Sequence, residues 1–127
     1  MPEKVRLTQT YKMRCVHKLP FPELLPDRFG DHGHHYLIEV TIEDSIHQES
    51  GLSVDRKYMN GIVERILIAP YDKSYLNDHF EHTTGEVLAQ KFFDLLKDSE
   101  LGPILNDVTV RETAKNSYYT CQKKKSI

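Results

Sequence analysis

Asp31-His32-Gly33-His34-His35-Tyr36-Leu37-Ile38-Glu39-Val40-Thr41-Ile42 alternates in polarity once past its glycine. His34, Tyr36, Ile38, Val40 and Ile42 point one way, and His35, Leu37, Glu39 and Thr41 the other, the period of a half-buried β-strand. His32 and His34 share the apolar parity, so both imidazoles are expected on the core-facing side. Side chains two apart on a strand stand roughly 6.6 Å apart, and two rings leaning together reach one ion at about 2.0–2.1 Å each. The chain has 7 histidines, and taken alone such a pair reads as ordinary strand histidines.

A third histidine changes the reading. Val5 to Val16 also alternates, with Val5, Leu7, Tyr11, Met13 and Cys15 on one side, and His17 continues that parity. If the two strands are antiparallel neighbours joined by residues 18–31, His17 meets His32 and His34 at one edge. Three neutral imidazoles suit zinc and leave a fourth position for water or substrate, the pattern of a catalytic rather than a structural site. Cys15 shares this face, as a small core residue or a neighbour of the metal.

The remaining bounds are simple. A chain of 127 residues is expected to form one domain, 1–127. A net charge of −2 with both signs interspersed leaves no nucleic-acid or membrane footprint. Lys123-Lys124-Lys125 reads as a solvated tail, and no apolar run approaches the ~18 residues of a membrane span. Cys15 and Cys121 are too few for a disulfide framework, so a cytoplasmic protein is expected.

Residues 18–31, with three prolines, read as an irregular loop ending in Asp31. Ser53 is a candidate N-cap with Asp55 in the first turn, and helical spacing of Tyr58, Met59, Ile62, Val63 and Ile66 predicts a helix over 54–68, ended by Pro70. Tyr71 to Asn77 reads as a loop placing Asp72 beside Lys73. Thr83 and Glu86 fit a capping box for a second helix carrying Leu88, Phe92, Leu95 and Leu96. Alternation predicts strands over 107–113 and 116–122. Glu112 falls on the apolar parity, where a carboxylate is costly unless paired; it either reaches solvent at the strand end or accepts hydrogen bonds from a ligand in a cleft.

The order β-β-α-α-β-β implies an α+β fold, with two helices on one face of a four-stranded antiparallel sheet. The chain resembles the 6-pyruvoyl-tetrahydropterin synthase and 6-carboxytetrahydropterin synthase family, of the tunnelling fold. The marks are His17, His32-Gly33-His34 with Tyr36, Gly51-Leu52-Ser53-Val54-Asp55, Asp72 with Leu76-Asn77, Thr84-Gly85-Glu86, and Val110-Arg111-Glu112-Thr113. The resemblance implies zinc on His17, His32 and His34, Glu112 anchoring the edge of a pterin-like small molecule, and a pocket lined by Thr84 and Glu86. It also implies homotrimers whose sheets close into a barrel, stacked as homohexamers, with active sites at subunit boundaries.

The acid–base set departs from the family's. Pro26 to Asp31 holds no cysteine where the family carries one before its H-G-H, Lys73 stands where a histidine follows Asp72, and Arg56 replaces an aromatic. Asp31, Asp72 and Lys73 are then the candidate proton-transfer residues. Asp31 either moves a proton near the metal or caps a turn or orients a ligand histidine. Lys73 is either such a group or a solvated side chain. The resemblance implies a zinc-dependent lyase acting on a dihydropterin-like substrate. The alternatives are a relative recruited to another substrate in specialised biosynthesis and a catalytically silent pterin-binding protein.

Overall fold

Period-two alternation becomes two long strands. In the computed structural model, which describes residues 3–18, 31–112 and 116–120, β1 (Lys4–Lys18) and β2 (Asp31–Ser45) pair antiparallel along their whole length. The register runs from Lys4 opposite Ser45 to Lys18 opposite Asp31. Met13, Cys15 and His17 are buried on one side of β1 while Lys12, Arg14 and Val16 stay exposed on the other. Tyr36, Ile38, Val40 and Ile42 carry the same face across β2.

β3 (Leu105–Glu112) lies beside β2, and β4 (Asn116–Tyr119) beside β3, giving the antiparallel order β1-β2-β3-β4. Both strands start near the expected positions. Thr113 lies outside the described residues, as do Cys121 and Gln122 at the expected end of β4. The anticipated loop keeps only its ends, Lys18 and Asp31, among the described residues, and both belong to strands.

Two helical segments cover the buried face. α1 (Arg56–Val63) is capped by Asp55, whose carboxylate accepts from the Lys57 N–H at 3.0 Å, so the cap falls two residues later than the expected Ser53. The helix does not stop before Pro70. Glu64–Ile68 forms a π turn, and Ala69–Tyr71 adds a last helical turn that includes the proline. The wider turn shifts the hydrogen-bond ladder just ahead of a residue with no N–H to contribute. Asp72 follows in extended conformation.

α2 (Gly85–Lys97) is capped by Thr84, which accepts from the Val87 N–H at 3.3 Å. The cap is thus one residue past the expected Thr83. Leu88, Phe92 and Leu96 of α2 join Val108, Val110, Ile38 and Val40 in one core with Met59, Val63 and Leu67. No helix among the described residues is long and apolar enough to cross a membrane.

Gly85 is needed for its lack of a side chain. A Cβ there would stand 2.0 Å from a ring carbon of Tyr118 on β4. Gly85→Ala gains up to about 1 kcal/mol of helix propensity but overpacks a contact whose cost is typically about 1–3 kcal/mol. The expected outcome is a melting temperature lowered by a few degrees, recovered in part when Tyr118→Ala removes the ring. Thermal denaturation followed by circular dichroism reads both.

Candidate active site

β1 delivers His17 to the buried face at its last turn of the pleat, with the imidazole 1% exposed. Its Nδ1 lies 2.9 Å from the Thr83 carbonyl oxygen, just before α2. A carbonyl only accepts, so Nδ1 carries the proton and Nε2 presents its lone pair. A metal-binding histidine is commonly oriented in this way, with one ring nitrogen tied back to a carbonyl. In the β1–β2 register His17 stands opposite His32, and Cys15 opposite His34. Backbone pairing therefore brings the three histidine positions to one end of the sheet on one parity. The side chains of Asp31, His32 and His34 lie outside the described residues. Among the described residues no three His, Cys, Asp or Glu form a metal-holding group.

Glu112 ends β3 opposite Tyr36 and is 3% exposed. Reaching solvent at a strand end is thereby excluded, and a buried carboxylate on the His17 side of the sheet remains. Tyr36 sits between the two, its ring edge-on to His17 with centroids 6.3 Å apart at 87°. It also stands opposite both Met13 and Glu112 in the register. Sequence reasoning singled out His17 and Glu112 and gave Tyr36 no role beyond a parity marker and a mark of the family resemblance. Thr84 is occupied in capping α2, and Glu86 in its first turn is exposed.

Asp72 and Lys73 take a different position. Residues 72–77 run along the outer edge of β1 and satisfy it. Asp72 Oδ1 accepts from the Arg14 N–H at 2.9 Å, the Ser74 carbonyl accepts from the Val16 N–H at 3.0 Å, and Val16 bridges Tyr75. Asn77 does both jobs of a strand neighbour for Lys18, accepting from its N–H at 2.8 Å and donating to its carbonyl at 3.0 Å. The expected loop is thus an edge cover. Asp72 and Lys73 wall a hollow of about 300 Å³ with Lys12, Met13, Arg14, His35, Tyr36 and Leu37. Of these, Lys12, Arg14, His35 and Leu37 project from the parity opposite His17 and Glu112, and Met13 and Tyr36 share theirs. One chain therefore brings His17 and Glu112 to one face and holds Asp72 and Lys73 at the border of the other. Lys73 adopts φ 61°, the only positive φ at a non-glycine among the described residues.

His35 is exposed, as its parity requires, and His79 packs edge-on against Tyr71 with centroids 5.1 Å apart.

Cys15 is a protected thiol. Its Sγ donates to the Tyr71 carbonyl at 3.2 Å. Burial pushes it from 9.0 up to about 11; a Ser74 backbone hydrogen bond pulls the other way, and the Asp72 charge raises it further. A buried thiol with a raised pKa is a poor nucleophile near neutral pH. Burial, aided by Glu64, likewise pushes the Tyr11 phenol from 10.0 up to about 12. Raised values favour the protonated forms in the fold. Their contribution is complete below 9.0 and 10.0 and is lost as pH climbs through about 11 and 12. The melting temperature is expected to fall over that window, and less steeply between 9.0 and about 11 in Cys15→Ala. Melts across alkaline buffers check it.

Comparisons with known proteins identify the family and the fold. A family model described as 6-pyruvoyl tetrahydropterin synthase matches residues 6–124. The 6-pyruvoyl tetrahydrobiopterin synthase of Drosophila melanogaster is 25% identical, over 87% of this chain and 75% of that protein. The solved 6-pyruvoyl tetrahydropterin synthase of Caenorhabditis elegans superposes with a TM-score of 0.83 at 22% identity, covering 97% of this chain and 98% of that one. The Plasmodium vivax protein gives 0.74 at 15% identity, covering 93% and 97%; two of its solved variants replace a catalytic glutamate. Four antiparallel strands backed by two helices are the tunnelling fold of these structures, and the chain belongs to the 6-pyruvoyl tetrahydropterin synthase family.

Proposed function

We propose that this chain is a zinc-dependent lyase of the pterin-synthase type, acting on a dihydropterin-like substrate with a changed proton-transfer set. The observation that carries the reading is His17, buried, with Nδ1 tied to the Thr83 carbonyl and standing opposite His32 in the register. A donor set of three neutral imidazoles at His17, His32 and His34 fits zinc. When bound, zinc supplies Lewis acidity toward oxygens of the substrate side chain.

The chain's own residues do the rest. Glu112 accepts two N–H groups from the pterin ring edge, a bidentate contact that fixes the ring's orientation. Thr84 and Glu86 at the start of α2 border the pocket. Asp31, beside the histidine motif, takes a proton from a side-chain carbon or hydroxyl. A carboxylate in this role is supported by the catalytic glutamate of the P. vivax protein. Asp72 and Lys73, displaced to the sheet border, complete the proton path at a subunit boundary in a homotrimer or homohexamer. Such an assembly also pairs the outer edge of β1 ahead of Arg14, where no segment covers it among the described residues. A cytoplasmic setting belongs to the same reading, supported by the low cysteine content.

Incubating the zinc-loaded protein with dihydroneopterin triphosphate and, separately, dihydroneopterin, followed by product identification, tests this. Loss or rearrangement of the side chain, abolished in Asp31→Asn, is the expected result. Intact substrates in both incubations contradict it.

A further inference from the structure

We propose that Asn77 is a positioning residue for His17, an assignment that rests on the zinc reading above. β1 ends at Lys18, one residue past His17, and the end of an edge strand frays unless it is tied down. Residues 72–77 meet the outward backbone groups of β1 at alternate positions. The Arg14 N–H is on the Asp72 carboxylate, the Val16 N–H on the Ser74 carbonyl, and Lys18 on Asn77. His17 lies between the last two and stands opposite His32 on β2.

At Arg14 the two jobs of a strand neighbour are split between the Asp72 carboxylate and the Lys73 N–H. At Lys18 one side chain does both: Asn77 Oδ1 accepts from the N–H at 2.8 Å, and Nδ2 donates to the carbonyl at 3.0 Å. A side-chain amide carries the donor and acceptor of a peptide group, so it continues the edge where the backbone has turned into the short helix Leu76–Asp78. Leu76 is fully buried in the core and gives that turn a fixed base. Lys18 is exposed, and at such a position water can satisfy a stray N–H or carbonyl. Polar satisfaction alone therefore does not call for the pair. What the pair adds is position. His17 is held at its ring by the Thr83 carbonyl at 2.9 Å and along its backbone by the clamps on Val16 and Lys18. Zinc–nitrogen bonds of about 2.0–2.1 Å tolerate little displacement. Releasing Lys18 lets the last pleat of β1 drift, and with it the place of His17 opposite His32.

Asn77→Ala in the full chain tests this. Chelator competition is expected to show zinc affinity lowered roughly 10- to 100-fold, the range for groups that orient a zinc ligand. Cobalt(II) loaded in place of zinc is expected to give an altered visible spectrum, and amide hydrogen exchange at Lys18 in the metal-free chain to speed up. Asn77→Asp keeps the acceptor, loses the donor and falls between. Arg65→Ala breaks the exposed pair of Arg65 with Glu100, which involves neither β1 nor residues 72–77, and is expected to leave zinc affinity and the cobalt spectrum unchanged. Wild-type zinc affinity in Asn77→Ala, or a loss matched by Arg65→Ala, overturns the assignment and leaves Asn77 an edge cover only. A wild-type chain that takes up no zinc overturns the metal reading itself.

Discussion

A Glu112→Ala chain is expected to lose pterin binding by roughly 30- to several-thousand-fold while keeping its zinc. The range follows from the about 2–5 kcal/mol cost of truncating one partner of a buried, charge-assisted pair, at about 1.4 kcal/mol per tenfold. Glu112 is the last residue of β3 and is shielded from water on the His17 side of the sheet. Burying a carboxylate there is unfavourable unless it is hydrogen-bonded, and a ring offering two N–H groups matches its two oxygens. Glu112→Gln keeps the size and one acceptor and is expected to fall between. Fluorescence titration with pterin reads affinity, and metal analysis of the same samples reads zinc. Retained affinity in Glu112→Ala would remove the anchor.

His17→Ala is expected to act in the opposite order, on the metal first. Losing an outer partner of a zinc ligand typically weakens binding about 10–100-fold, so removing His17, if it ligates zinc as proposed, should exceed that. Competition with a chelator measures it. The control is specific to this chain: the Thr83 carbonyl belongs to the backbone, so substitutions at Thr83 leave the hydrogen bond to His17 in place. Zinc affinity is thus expected to fall in His17→Ala and to hold in Thr83→Val.

The burial of both residues was legible in the sequence because strands report parity directly. His17 followed Met13 and Cys15, and Glu112 followed Val108 and Val110, and the structure buries each with its set. Helix ends were less legible. Ser53 and Asp55 are both good caps, as are Thr83 and Thr84, and composition does not say which adopts the extended backbone a cap needs. Pro70 misled for a different reason: a π turn ahead of it absorbs the missing donor.

The edge cover was not legible at all. Asp72 and Asn77 bind the backbone of Arg14 and Lys18 across a long sequence separation, and side-chain-to-backbone bonds leave no periodic trace. The same limit hid the contact of the Thr83 carbonyl with His17.

Zinc content of the purified chain, set beside that of His32→Ala/His34→Ala, tests the central claim most directly. About one zinc per chain in the wild type and almost none in the double variant is the expected result. A wild-type chain that takes up no zinc, or a double variant that holds it undiminished, would contradict the account.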